Sequence, residues 1–267
     1  MVEGIRKTGA LNQEEPTLTA RLMLHRGALH VSRDEIARVA TPDRTRSWVP
    51  IPHLTLLDGV QSALERAGLT VAGEDHALGR DGDRLFSLLR LAAGATDTAD
   101  FSVMVGVRNS HDQSFPAGLV IGASVVVCDN LSFSGEVRLA RKHTAHIERD
   151  LPQLIGAAVG RLGDLRRSQE LRFAHYKQHE LTDAAAHDLL VQVLDARVLP
   201  VTKLPLALQE WRTPRHPEFR EGGKTAWRFF NSITEAAKGG DLQVLPRRTQ
   251  ALHGLMDAAC GLTTLAV

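Results

Sequence analysis

Phe101-Ser102-Val103-Met104-Val105-Gly106-Val107-Arg108 is the stretch from which the architecture of this chain is read. Phe101, Val103, Val105 and Val107 fall on alternate positions, and Ser102, Met104, Gly106 and Arg108 fill the places between. A period of two is the signature of a β-strand, because successive side chains point to opposite faces. Outward from it the pattern repeats. Leu85, Ser87, Leu89 and Leu91 alternate with Phe86, Leu88 and Arg90. Leu119 to Cys128 is nearly all apolar or small, which suits a strand buried on both faces. Residues 69–77 make a fourth strand, and Gly79-Arg80-Asp81-Gly82 is a strong turn between the first two. The connections are too short for parallel crossovers, so the four strands are expected as an antiparallel meander.

Helical periods flank the meander. Ser32 and Glu35 fit a capping box, which starts a short helix that Thr41-Pro42-Asp43 stops. Trp48-Val49-Pro50-Ile51-Pro52 reads as an extended anchor, its two prolines fixing φ and biasing the residues before them away from helix. Leu57, Val60, Leu64 and Ala67 mark an amphipathic helix over 53–67, with Gly68 as C-cap. Beyond residue 145 the reading is helical almost throughout, over 146–178, 183–197, 203–212, 224–238 and 248–260. Gly156, Gly160 and Gly163 are placed to break or kink the first of these. The fold class is therefore α+β: an N-terminal helix and a four-stranded antiparallel meander, then a mostly helical C-terminal half. The expected organisation is a flexible arm over 1–30, an α+β sheet region over 31–145, and a helical region over 146–267 packed on the sheet as one compact unit.

The chain has 267 residues, 43% of them apolar and 24% charged, and a net charge of +1. That charge excludes a whole-molecule electrostatic argument for a nucleic-acid or membrane partner. No apolar run reaches the roughly 20 residues a bilayer span needs, and the first residues carry no secretory signal. The two cysteines, Cys128 and Cys260, sit among apolar neighbours and form no disulfide framework. A cytoplasmic location and no membrane partner are expected.

Two polar clusters stand out, Arg108-Asn109-Ser110-His111-Asp112-Gln113-Ser114-Phe115 and Cys128-Asp129-Asn130-Leu131-Ser132-Phe133-Ser134-Gly135-Glu136. A straight strand over 118–128 would hold them about 33 Å apart, too far for a Cys128–His111 nucleophile and base. The His111 end should instead neighbour the Arg80-Asp81 turn. Arg108, Asn109, Ser110, His111 and Asp112 are a candidate polar site for an anion or a metal. The same short polar side chains also build turns. Cys128 follows three valines and has no basic neighbour to activate it. His143 with His146, and His175 with His179, have helical spacing but lack the further ligands that zinc requires. Gly222-Gly223-Lys224-Thr225 ends like a P-loop, but Glu218 stands where the first glycine belongs. No catalytic residue, metal or cofactor is assigned.

Aromatics are scarce, twelve in all, and five of them fall between Trp211 and Phe230: Trp211, Phe219, Trp227, Phe229 and Phe230. Arg212, Arg215, Arg220, Lys224 and Arg228 are interleaved with them, against Glu218 and Glu221 alone. Cations for phosphates and rings for bases suit single-stranded nucleic acid. The plainer reading is a loop pinned by core aromatics, its arginines solvated. Arg138, Arg141 and Lys142 begin a second basic run, diluted by Glu148 and Asp150.

Several stretches together resemble one family. They are Trp48 to His53, Gly106 to Phe115, Val127 to Glu136, Arg141-Lys142-His143-Thr144, Thr225 to Asn231, and Pro246 to Leu255. The chain resembles the phage/plasmid-like proteins of the domain of unknown function 932 family from about residue 30 to 262. The resemblance implies a mobile-element setting and transfers no catalytic residue. One reading is a non-enzymatic, nucleic-acid-binding accessory factor that handles single-stranded DNA. By fold-level analogy to single-strand annealing recombinases, it would act as a homo-oligomer whose neighbouring subunits build a groove from Arg138, Arg141 and Lys142. The others are an enzyme with a pocket around Asn109, His111 and Asp112, and a protein-interaction factor without chemistry.

Overall fold

In the computed structural model of the protein, which describes residues 27–92, 101–125, 130–132, 138–238 and 244–262, the period-two stretch is an inner strand of an antiparallel sheet. The expected meander is β2 (Val71–Gly79), β3 (Arg84–Leu91), β4 (Phe101–Ser110) and β5 (Ala117–Val125). The sheet is wider than four strands. β1 (Leu29–Val31) adds to β2 at one edge, and β6 (Asn130–Ser132) and β7 (Arg138–Arg141) both pair with β5 at the other. These strands are three or four residues long, too short to show a period. The turn between β2 and β3 places Arg80, Asp81 and Gly82 at positive φ of 53°, 56° and 97°. Glycine takes that conformation without cost, and Asp tolerates it.

The helices follow the apolar periods. α1 (Arg33–Ala37) carries the full capping box, with the Ser32 side chain and Glu35 each accepting the other's backbone N–H. α2 (His53–Arg66) is capped by Ala67, and the chain turns away at Gly68, whose φ is +73°. The long helical stretch is two helices, α3 (Ile147–Gly160) and α4 (Leu162–Gln178), broken at Arg161. Three glycines within eight residues weaken the helix there. α5 (Asp183–Asp195), α6 (Leu204–Arg212), α7 (Pro217–Glu221), α8 (Ala226–Ala237) and α9 (Leu245–Ala259) complete the described α-helices, and a short 3-10 turn (Val201–Lys203) precedes α6. α7 is a single turn that has no apolar period to announce it.

Two large apolar clusters hold these elements, and a small third one (Ala28, Ala77, Leu88 and Met104) lies on the other face of the sheet. In the first, one face of the sheet (Leu85, Leu89, Val105, Val107, Leu119 and Ile121) packs on Leu57, Val60 and Leu64 of α2 and Leu151 and Ile155 of α3. The second lies among α4 to α9 and takes in Phe101, Phe173, Tyr176, Trp211, Phe219, Trp227, Phe229 and Phe230, eight of the twelve aromatics. α4 joins the two, because its start (Leu162, Leu165) belongs to the first and its later turns to the second. Phe101 at the start of β4 meets Phe173 edge-on at 5.1 Å.

A buried ion pair crosses the second cluster. Arg172 Nε donates to both Asp257 carboxylate oxygens, at 3.0 and 3.2 Å, and Tyr176 Oη donates to Oδ1 at 2.6 Å. Removing one partner of such a pair strands the other charge in a dry interior. Asp257→Ala is therefore expected to lower stability by about 3–5 kcal/mol in urea unfolding. The double change Asp257→Ala with Arg172→Met should recover much of that loss.

Candidate functional site

The pleat of β4 divides the five-residue polar cluster between two faces of the sheet. Asn109 stands opposite Leu85, on the face that packs against α2, while Arg108 stands opposite Phe86 and Gly118 on the other. Ser110 and Arg108 therefore share one side, and Asn109 and His111 the other. On the Arg108 side, Ser110 Oγ donates to the Phe115 carbonyl at 2.6 Å and closes the β4–β5 connection. The Arg108 guanidinium lies 5.4 Å from the Phe115 ring centroid.

On the opposite side Asn109 and His111 meet the extended segment before α2. Asn109 Nδ2 donates to the Ile51 carbonyl at 2.8 Å and to His53 Nδ1 at 2.9 Å. His111 Nε2 donates to the same Ile51 carbonyl at 3.0 Å. His53 Nε2 donates to the Gly82 carbonyl at 2.9 Å. Carbonyls only accept and an amide NH2 only donates, so these partners fix His53 as the neutral Nε2–H tautomer. The His53 and His111 rings stack 3.8 Å apart and within 2° of parallel. All three side chains are buried. Burial first, then the neighbouring His111, holds the His53 imidazole down to about 4, against the pull of the Gly82 carbonyl. His143, also buried, is held below the usual imidazole range by burial, with His111 adding to it.

Asp112 leaves this group and pairs with Arg84, whose Nε donates to Oδ2 at 2.7 Å. Burial pushes its carboxyl up, but the hydrogen bonds from Ser114 and Arg84 outweigh that and hold it low. His111 N–H donates to the Asp83 carbonyl at 2.7 Å. The end of β4 thus neighbours the β2–β3 turn, as strand geometry requires. Sequence spacing did not connect His53 to the cluster, because its partner Asn109 on β4 lies 56 residues along the chain. The local sign at His53 was its place directly after the Pro50-Ile51-Pro52 anchor. Cys128 lies outside the described residues. Among the described residues, no three metal-ligating side chains converge.

The Trp211–Phe230 segment resolves into a buried inside and a charged outside. Trp211, Phe229 and Phe230 are fully buried, and Phe219 and Trp227 are 8% exposed. Arg228 is buried too. Its Nε and Nη2 donate to the Trp211 and Arg212 carbonyls at 2.8 and 3.0 Å, so it caps the C-terminus of α6. Arg212, Arg215, Arg220 and Lys224 are exposed. Arg215 reaches Glu235 at 3.3 Å, Arg220 donates to the Pro214 carbonyl at 2.9 Å, and Lys224 donates to Asp183 at 2.6 Å. In the second basic run, Arg141 pairs with Asp150 at 2.6 Å and Lys142 is exposed. Arg138 is a residue of β7 opposite Val120.

Asn109→Ala should cost about 1–3 kcal/mol, the usual effect of leaving a buried acceptor unpaired, because it removes the donor to His53 Nδ1. Urea unfolding at pH 7.5 measures it.

A family model described as Domain of unknown function (DUF932) matches residues 43–256 of the chain. No curated protein matches it. No solved structure matches it.

Proposed function

The chain belongs to the DUF932 family, and from that premise we propose that it is a non-enzymatic, nucleic-acid-binding accessory protein of mobile elements, working in the cytoplasm on single-stranded DNA. The observation that carries this reading is the layout of residues 211 to 228. Four exposed cations, Arg212, Arg215, Arg220 and Lys224, stand over a rigid aromatic core. Fixed cations on a stiff support suit the phosphate backbone, whose attraction is sequence-independent and weakens with salt. The buried rings supply the stiffness and leave base stacking out of the reading. Lys142 and its neighbours Arg138 and Arg141 add charge to this role in a homo-oligomer, where the sheet edge of one subunit approaches the next.

The polar cluster at the end of β4 supports the non-enzymatic half of the reading. The hydrogen bonds that Asn109, Ser110 and His111 form go to the chain itself, chiefly to the carbonyls of Ile51 and Phe115, while Asn109 Oδ1 and His111 Nδ1 are buried without a hydrogen-bond partner. His111 is 5% exposed.

The test is fluorescence anisotropy with a labelled single strand, between 50 and 200 mM salt. Four phosphate contacts predict a slope of about −3 in log K against log salt, at roughly 0.7 per contact for single strands. Arg212→Glu alone leaves the ion pairs of Arg215 and Lys224 intact and should flatten that slope by about 0.7. Joint Arg212→Glu and Arg215→Glu changes should flatten it further. A folded wild-type protein that binds no single strand at low salt overturns the proposal.

A further inference from the structure

Residues 45–52, ahead of α2, form neither helix nor strand. Val49 and Ile51 are buried in the first core cluster, at 2% and 3% exposure. Polar contacts fix this segment at two places. Val49 N–H donates to the His143 carbonyl at 3.0 Å, and the Ile51 carbonyl accepts from Asn109 and His111. Immediately after it, His53 bridges Asn109 on one side and Gly82 on the other. One atom, Asn109 Nδ2, serves both Ile51 and His53.

That sharing has a consequence for protons. A proton on His53 Nδ1 turns an accepted hydrogen bond into a donor facing a donor at 2.9 Å. Rotating the Asn109 amide would offer Oδ1 to the new N–H, but it would also set Oδ1 against the Ile51 carbonyl. Either way the segment loses an attachment. The charge would lie 3.8 Å from the stacked His111 ring, at the first residue of α2, where the helix end is itself positive. The Gly82 carbonyl favours the charge, and the titratable groups facing it from the surrounding elements oppose it or are engaged elsewhere. His143, beyond β7, also opposes the charge. Asp112 is engaged by Arg84, and the first turn of α2 holds no acid. Arg44 and Arg46, on the segment's approach, are exposed cations.

We propose that the stacked His53–His111 pair is an acid-operated latch: it docks residues 45–53 onto the end of β4 at neutral pH and releases them when His53 takes a proton. The proposal stands apart from nucleic-acid binding. Trp48 lies on the released segment, whereas Trp211 and Trp227 are buried in the helical half. The reporter is 19F NMR of the full chain labelled with 5-fluorotryptophan. On acidification the Trp48 resonance should shift between pH 6.5 and about 4, the span from a free imidazole to the buried His53, while Trp211 and Trp227 hold still. His53→Gln, which keeps hydrogen-bonding capacity and cannot titrate, should abolish that shift. Asn109→Asp gives the reaction a second handle, since a carboxylate accepts from protonated His53. It should raise the Trp48 midpoint by at least one pH unit. Movement of all three tryptophans together, or a Trp48 transition unchanged in both variants, overturns the latch.

Discussion

The two-residue period of β4 is the constraint on which the rest of this structure depends. It sends Val105, Val107 and Asn109 to the face that meets α2 and α3, and Gly106, Arg108 and Ser110 to the other. A slip of one residue in register would put Arg108 into the apolar core and Asn109 outside it. Because Asn109 faces inward, it can hold the segment that begins α2. Because that segment is held, Ile51 and Val49 fill the core beside Leu57 and Val60. One strand thus sets both the packing and the polar network at its end.

Much of this was legible in the sequence. The alternation of Phe101 to Arg108, the capping box at Ser32, the turn away from α2 at Gly68 and the break near Gly160 are local signals, and local signals write themselves into neighbouring residues. Proximity of His111 to the β2–β3 turn followed from strand topology. The polar cluster was less legible. As a run, Arg108 to Asp112 looks like one site, but a strand divides any run between its faces. Asp112, in the loop, goes to Arg84 on the neighbouring strand. His53 reaches the cluster across a long stretch of chain, and no spacing rule connects them. The short strands β1, β6 and β7 gain their pairing from the sheet rather than from their own propensity.

The aromatics show how composition and placement combine. With only twelve rings, the chain uses eight in one cluster among the helices. The interleaving of rings and arginines between Trp211 and Phe230 is then the mark of a helix-and-turn packed on its ring side and wet on its charged side. Arg228 belongs to the inside, where it closes carbonyls at the end of α6. Arg212, Arg215, Arg220 and Lys224 stay on the wet side, where Arg215 pairs with Glu235 and Lys224 with Asp183.

A double-mutant cycle at the end of β4 tests the division of faces most directly. Unfolding free energies would be measured for Asn109→Ala and His53→Ala, singly and together, and for Arg108→Ala with His53→Ala. Residues that share a hydrogen bond couple, and residues with no shared partner add to within about 0.5 kcal/mol. Asn109 with His53 should couple by about 1 kcal/mol, and Arg108 with His53 should be additive. Additivity in the first pair, or coupling in the second, would contradict the division of faces.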